Sequence, residues 1–167
     1  VQICMKALGV DKGYIGIEDN KPEAVKVLTE AFASVPEVTV EALPTKYPQG
    51  AEKMLIKAVT DREVEPGGLP MDVGCVVSNV GTVIAITDAV CHGIPFIERV
   101  TTVTGDCIKE PKNLSLRIGT PFQYAIDYCG GFSSQPDRVI AGGPMMGLAQ
   151  FQLDVPVAKG VSGILAL

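Results

Sequence analysis

The residues best suited to hold a ligand lie in the segment 46–53, Lys-Tyr-Pro-Gln-Gly-Ala-Glu-Lys. Gly50 allows a close backbone approach just before a predicted helix, whose N-terminus presents free N–H groups suited to a phosphate. Tyr47 offers a stacking face for a planar ring, and Glu52 can accept a hydrogen bond from a ribose or another polar group. One glycine before a helix is common, so this pattern alone favours a capped connection in which Glu52 is placed by the helix dipole.

A second glycine-bearing turn, residues 77–82, reads Val-Ser-Asn-Val-Gly-Thr at a predicted strand–helix junction. Ligands of open α/β sheets bind at the carboxyl ends of strands, so Asn79 and Thr82 could contact a phosphate or a ribityl chain. Capping of the helix by Ser78 or Asn79 explains the same residue types equally well. Both interpretations therefore stay open.

The third turn, residues 141–147, reads Ala-Gly-Gly-Pro-Met-Met-Gly and contains no acid, base or nucleophile. Tandem glycine with proline predicts a tight turn, and paired methionines give an adaptable apolar surface, so we expect an interface or a structural turn. No triad pattern or convincing carboxylate pair occurs elsewhere, and helix capping is the simplest explanation of Asp19 beside Glu18. Any redox chemistry would require a cofactor that the protein positions.

Composition narrows the class of protein. The 167 residues are 47% hydrophobic and 20% charged with a net charge of −5, which indicates a well-packed globular chain that does not bind nucleic acid.

None of the five cysteines lies within four residues of another, so we expect reduced thiols and no zinc or iron–sulfur ligand pair. The only histidine, His92, is expected in a surface turn. We expect no signal peptide from residues 1–10. Because polar residues interrupt the apolar run 73–91, we expect no membrane span either.

The hydrophobic pattern predicts the elements that position these turns. Helical spacing and period-2 alternation or short apolar runs distinguish the helices from the strands. In chain order, the pattern predicts a helix at 1–8 ended by Gly9, a strand at 14–17, a helix capped by Asn20, a strand at 38–43, a helix through 55–59, a strand at 75–77 and a helix at about 80–90. This order predicts an α/β fold with helices packed on a sheet.

The pattern changes after Pro95. Residues 99–104 and 114–118 alternate around a Pro-Lys-Asn turn, which predicts a β-hairpin. Thr120 is expected to cap a short helix, and residues 139–141 form a further predicted strand. Two strands, a helix and another strand in this order suggest a small β-grasp module.

Six motifs together resemble those of one family. In chain order they are Gly-Ile-Glu-Asp-Asn-Lys-Pro-Glu-Ala at 16–24, Tyr-Pro-Gln-Gly-Ala-Glu-Lys at 47–53, Pro-Gly-Gly-Leu-Pro at 66–70, Asn-Val-Gly-Thr at 79–82, Glu-Arg-Val with Thr-Val-Thr-Gly at 98–105, and Gly-Gly-Pro-Met-Met-Gly at 142–147. In this combination, essentially the whole chain resembles the C subunit of the Rnf ion-translocating electron-transport complex. That family is similar to the flavin-carrying subunit of respiratory complex I.

The resemblance implies a domain order. Residues 1–96 would be the C-terminal part of a Rossmann-like, three-layer FMN and NADH domain, 97–148 a soluble-ligand-binding β-grasp domain, and 149–167 a connector toward an absent ferredoxin-like segment with 4Fe-4S clusters. The family's main glycine-rich flavin loop would lie upstream of Val1, which makes the chain an internal fragment with part of a flavin site. We therefore expect the isolated fragment to be inactive and to bind FMN weakly or not at all.

The resemblance also assigns candidate binding residues. Those at the flavin–nucleotide cleft would be Tyr47, Gly50 and Glu52, and those at the FMN phosphate or ribityl chain would be Asn79 and Thr82. Glu52 would lie near the nicotinamide nucleotide. Ala51 stands where the flavin-carrying protein of complex I has a second acid, so the charge at the nucleotide site is expected to differ.

The implied function is electron exchange between NADH and iron–sulfur or ferredoxin carriers through FMN, as an NADH:ferredoxin-type oxidoreductase subunit. Its cofactors would be FMN, NAD(H) and 4Fe-4S clusters, and its partners the other subunits of a membrane complex, NADH and a ferredoxin-type carrier. It would lie on the cytoplasmic face of the inner or plasma membrane without inserting into the bilayer. Two alternatives remain open: a soluble flavin–iron–sulfur cobalamin reductase, and a non-catalytic scaffold whose β-grasp module docks partner subunits.

Overall fold

A parallel pair of strands organises the first of two structural units, Val1–Thr87, in the computed structural model, which describes residues 1–167. In chain order its elements are α1 (Gln2–Leu8), β1 (Gly13–Glu18), α2 (Pro22–Ala31), β2 (Val38–Leu43), α3 (Glu52–Thr60), a 3₁₀ turn (Pro70–Val73) and α4 (Val80–Thr87). The mixture of helices and strands confirms the predicted α/β class at this level.

The parallel register of β1 and β2 places the carboxyl ends of both strands at the same edge of the pair. Gly13 lies opposite Val38 and Glu18 opposite Leu43, in parallel orientation. Parallel strands require a crossover connection, which contains α2. The segment after β1 and the loop between β2 and α3 therefore both follow the carboxyl edge of the pair.

The core of this unit packs α3 against the strand pair. Its buried apolar residues are Ile15, Val38, Leu43 and Ile56. Gly16 makes the close packing possible, because a Cβ at this position would lie 2.6 Å from Cδ1 of Leu55 on α3. Fixing α3 on β1 in this way also fixes the start of the helix, where the first candidate turn ends.

Two predictions for this unit are wrong. Residues 75–77 form no strand; the backbone N of Cys75 instead donates to the carbonyl of Pro70, the first residue of the 3₁₀ turn, at 3.0 Å. Strand propensity describes a fit to neighbouring strands and does not create pairing by itself. Asn20 does not cap α2, since Lys21 holds the N-cap position and makes no side-chain cap.

The second unit, Asp88–Leu167, is built on a five-stranded sheet. Its elements are a π-helical turn (Asp88–His92), β3 (Glu98–Thr104), β4 (Lys112–Arg117), α5 (Phe122–Tyr128), β5 (Val139–Ala141), β6 (Leu148–Gln150) and β7 (Gly163–Ala166). The strand order is β4-β3-β7-β5-β6, with β3 and β7 parallel and the other pairs antiparallel. The pairing of β3 with β4 confirms the predicted hairpin, and His92 is exposed as expected.

The strand β7 lies at the centre of this sheet. Ile164 on β7 is fully buried and lies opposite Val103 of β3 and Ala141 of β5, beside the core residues of α5 such as Phe122. Gly163–Ala166, within the stretch 149–167 that was expected to be a connector, form this strand. Their pairing partners are distant in sequence, and local patterning does not reveal them.

None of the helices has the length and apolar character needed to cross a lipid bilayer.

Candidate functional site

The carboxyl edge of β1 and β2 is held together by one carboxylate. Asp19 Oδ1 accepts hydrogen bonds from the backbone N of Thr45 at 3.0 Å and from Thr45 Oγ1 at 2.6 Å. The same hydroxyl oxygen accepts a bond from the backbone N of Asn20 at 3.2 Å. The two bonds donated by Thr45 stabilise the ionised carboxyl group and hold the pKa of Asp19 below its ordinary value. Asp19 therefore links the segment after β1 to the loop after β2, and the expectation that it caps a helix is wrong.

The loop after β2 displays some side chains and buries one. Tyr47 is 64% exposed, whereas Gln49 is only 5% exposed. The backbone is closed by two turn hydrogen bonds, from Gln49 N to the carbonyl of Lys46 and from Ala51 N to the carbonyl of Pro48, each 2.8 Å long. The loop is thus a defined turn that presents an aromatic face to solvent immediately before α3.

The fold does not require glycine at position 50. A Cβ built on Gly50 would meet no heavy atom within 4 Å, and its backbone lies outside the left-handed region. α3 begins two residues later, and its N-cap residue Ala51 offers no side-chain hydrogen bond. The open space beside Gly50 and the uncapped helix N-terminus are together the features that a closely approaching ligand would use.

Glu52 stands in the first turn of α3 with its side chain exposed. Its neighbour Lys53 donates a hydrogen bond from Nζ to the carbonyl of Glu65 at 3.2 Å, which braces the start of the helix. A carboxylate at this end is favoured by the helix dipole, but it also reduces the attraction of a helix N-terminus for phosphate. The position of Glu52 therefore suits a hydroxyl donor such as a ribose better than an anion.

Asn79 caps α4. Its Oδ1 accepts a hydrogen bond from Gly81 N at 2.9 Å, and its carbonyl accepts from Thr82 N and Val83 N at 3.0 and 3.1 Å. Of the two residues considered for the cap, the structure shows Asn79 in this role. The cap uses only the side-chain oxygen of Asn79, so the amide NH₂ group and the exposed Thr82 hydroxyl remain able to contact a ligand.

The five candidate residues lie in two groups. Tyr47, Gly50 and Glu52 share one loop–helix junction, while Asn79 and Thr82 share the N-terminus of α4. No hydrogen bond or salt bridge joins residues 47–52 to residues 79–82.

The methionine-bearing turn, residues 141–147, connects two strands and has an apolar outer surface. Gly147 N donates to the carbonyl of Gly143 at 2.8 Å and closes the turn between β5 and β6. Met145 and Met146 project outward, 68% and 81% exposed. The turn therefore joins two strands and presents an apolar surface to its surroundings.

One residue of interest, Gln49, was missed by reasoning from the sequence. A glutamine between proline and glycine is typical of a solvent-exposed turn, and no sequence signal marks it as buried. In the structure its side-chain Nε2 is covered and has no hydrogen-bond partner. Only the tertiary structure could identify this residue.

Comparison with known proteins finds a matching family for each of the two units. Residues 1–88 match the family described as the Nuo51 FMN-binding domain, and residues 100–149 match the SLBB domain. The chain is 62% identical over 167 residues to the C subunit of the proton-translocating ferredoxin:NAD(+) oxidoreductase complex of Clostridium ljungdahlii. It is 54% identical over 167 residues to the Na(+)-translocating counterpart of Acetobacterium woodii, and 43% identical over 168 residues to the C subunit of the ion-translocating oxidoreductase complex of Rhodobacter capsulatus.

Each of these three alignments covers 100% of this chain, and the chain spans 36%, 38% and 32% of the respective relatives. The chain is therefore about a third as long as the relatives that it matches. The FMN-binding match, residues 1–88 of 167, covers more than half of the chain and contains both groups of candidate residues. By this match the chain belongs to the Nuo51 FMN-binding domain family, and along its whole length it is homologous to the C subunits of ion-translocating ferredoxin:NAD(+) oxidoreductase complexes.

Proposed function

We propose that the loop–helix junction at residues 46–53 forms one side of a cleft for FMN and a nicotinamide nucleotide. The observation that carries this proposal is the open, uncapped start of α3 beside Gly50, at the carboxyl edge of a parallel strand pair. Ligands of open α/β sheets bind at this edge. The FMN-binding family match supports the same ligand class.

Each candidate residue has a role in this proposal. Tyr47 stacks on a ring of the ligand, Gly50 admits the ligand close to the backbone, and Glu52 accepts a hydrogen bond from a ribose hydroxyl. The remaining contacts, to the phosphate or ribityl chain of FMN, come from Asn79 and Thr82. In the same proposal the first unit is Rossmann-like and the second is a β-grasp domain, with the domain boundary near residue 96.

The activity proposed for the whole protein is electron exchange between NADH and a ferredoxin-type iron–sulfur carrier. FMN supplies the conversion between two-electron and one-electron transfer when it is bound, and 4Fe-4S clusters elsewhere in the full-length protein carry single electrons. The residues of this chain contribute binding and orientation. The protein would act on the cytoplasmic face of the membrane, within a complex of several subunits.

The proposal is tested in the full-length protein with Tyr47→Ala and Gly50→Ala. Both positions are exposed, so neither substitution should change the free energy of unfolding by more than about 0.5 kcal/mol. Each should weaken NADH binding about tenfold or more, since loss of a stacking face or of backbone access removes about 1.4 kcal/mol or more. The measurements are NADH titration and anaerobic bleaching of the flavin. Tyr124→Ala is the matched control, because Tyr124 is equally exposed at 63% but lies on α5.

The outcomes separate the alternatives. Unchanged NADH binding and electron transfer in both variants would favour the docking scaffold and contradict the proposed cleft. Active protein that co-purifies with no membrane protein would favour the soluble cobalamin reductase.

The FMN contact proposed for Asn79 can be separated from its role as a helix cap. Asn79→Asp keeps the side-chain oxygen that caps α4 but removes the NH₂ donor and adds a negative charge opposite a phosphate. The variant should therefore keep its stability and lose FMN content in purified protein. Equal FMN content in the variant and the wild type would leave Asn79 as a cap alone.

A further inference from the structure

A buried amide without a partner lies inside the proposed nucleotide-binding loop. The Gln49 side chain is 5% exposed, and its Nε2 is covered without a hydrogen-bond partner. The backbone N of the same residue is satisfied by the carbonyl of Lys46 at 2.8 Å. The unmet hydrogen-bonding requirement therefore belongs to the side-chain amide alone.

The second buried polar residue of the chain shows the usual arrangement. Thr101 on β3 is fully buried, and its Oγ1 donates to the carbonyl of Val161 at 3.1 Å. Buried polar side chains nearly always have such a partner, because leaving one unpaired costs stability. Gln49 departs from this rule. Methionine has a similar length and would fill the same space without an unpaired donor, so packing does not account for the amide.

The position of Gln49 connects the amide to the loop's proposed role. It lies between the exposed Pro48 and Gly50, two residues after the exposed ring of Tyr47 and three before the first helical residue of α3. Gln49 is the buried member of an otherwise displayed turn. A shift of this turn would therefore change the surroundings of this side chain.

We propose that Gln49 is a positioning residue of the nucleotide-binding loop. Its amide is unpaired in the free protein and gains an acceptor when the loop packs against a nicotinamide nucleotide. Because the unpaired amide destabilises the free loop, the hydrogen bond that it gains on binding favours the bound arrangement of the loop. This inference rests on the proposed nucleotide-binding function, and it adds a residue that acts through the loop and not by direct contact with the ligand.

The test uses Gln49→Met in the full-length protein. Removing the unpaired donor should raise the midpoint of thermal unfolding without nucleotide by about 2–4 °C. The same substitution should weaken NADH binding about tenfold, because the bound loop loses its hydrogen bond. Thr101→Val is the matched control: it removes a satisfied buried hydroxyl, so it should lower the midpoint and leave NADH affinity unchanged.

Opposite changes in stability and affinity are what distinguish a positioning role from a purely structural one. A fall in the midpoint of Gln49→Met would show that the amide is already paired in the free protein and would overturn the inference. An unchanged NADH affinity in Gln49→Met, with normal binding by the wild type, would overturn it as well. Absence of NADH binding by the wild type would instead contradict the proposed function itself.

Discussion

At the scale of single residues, the candidate site depends on polar groups that hold a loop in place. Asp19 reaches across the carboxyl edge of the strand pair to the backbone and hydroxyl of Thr45. Local sequence could not predict this, because the two residues lie 26 positions apart and each alone is an ordinary turn residue. The contact is what sets the starting point of the loop that carries Tyr47 and Gly50.

The Asp19 contact should make stability depend on pH in the acidic range. The pKa of Asp19 in the folded protein is below that of the unfolded chain, so its contribution is present above about pH 4 and is lost as pH falls through the folded pKa. Denaturant unfolding of wild type and Asp19→Asn should show the wild type more stable at pH 6, with the difference shrinking below about pH 4. A difference that stays constant across this range would contradict the assignment.

At the scale of elements, the second unit depends on pairing between distant segments. The central strand β7 pairs with β3 in parallel and with β5 in antiparallel orientation. The hairpin of β3 and β4 is predictable because its strands are close in sequence and alternate clearly. β7 is short and lacks a nearby partner, so its role emerges only once the sheet is assembled.

Ile164 provides the test of this role for β7. Because its side chain is fully buried in the core of the sheet, Ile164→Ala should lower the free energy of unfolding by about 2–5 kcal/mol. Ile94→Ala, at an exposed position of the same unit, should change it by less than about 0.5 kcal/mol. Denaturant unfolding followed by circular dichroism measures both. Equal small effects would indicate that residues 163–166 behave as a connector and not as a core strand.

At the scale of the whole molecule, the five cysteines are free thiols in different environments. Cys91 is exposed, Cys4 and Cys75 are half-buried, and Cys107 and Cys129 are buried. Burial also raises the pKa of the Cys129 thiol, which keeps it protonated and unreactive near neutral pH. The reactivity of each thiol therefore reports whether the part of the chain around it is open to solvent.

Thiol labelling at about pH 7.5 should follow this order of exposure. Cys91 should react first with iodoacetamide, and Cys107 and Cys129 should react only after denaturation, since the thiolate must form and the reagent must reach it. Peptide mass spectrometry over a time course resolves the individual sites. Early labelling of Cys129 in native protein would contradict the described core of the second unit.

Helices and strands whose signals are local can be predicted from the sequence. Gly9 ends α1, alternation predicts β2 and the β3–β4 hairpin, and spaced apolar residues predict α3. The sequence also supplied the ordered motifs that indicate the family, with Tyr47 and Gly50 among them. These features depend on neighbours a few residues apart, so a linear pattern is enough to reveal them.

Which segments pair and which side chains are buried becomes apparent only in the folded chain. In the structure, residues 75–77 form no strand and β7 lies at the centre of a sheet. Asp19 accepts a hydrogen bond from Thr45. Gln49 is buried within a loop whose composition is typical of an exposed turn. Strand pairing and burial are relations between distant parts of the chain, and the polarity of a residue does not fix either one.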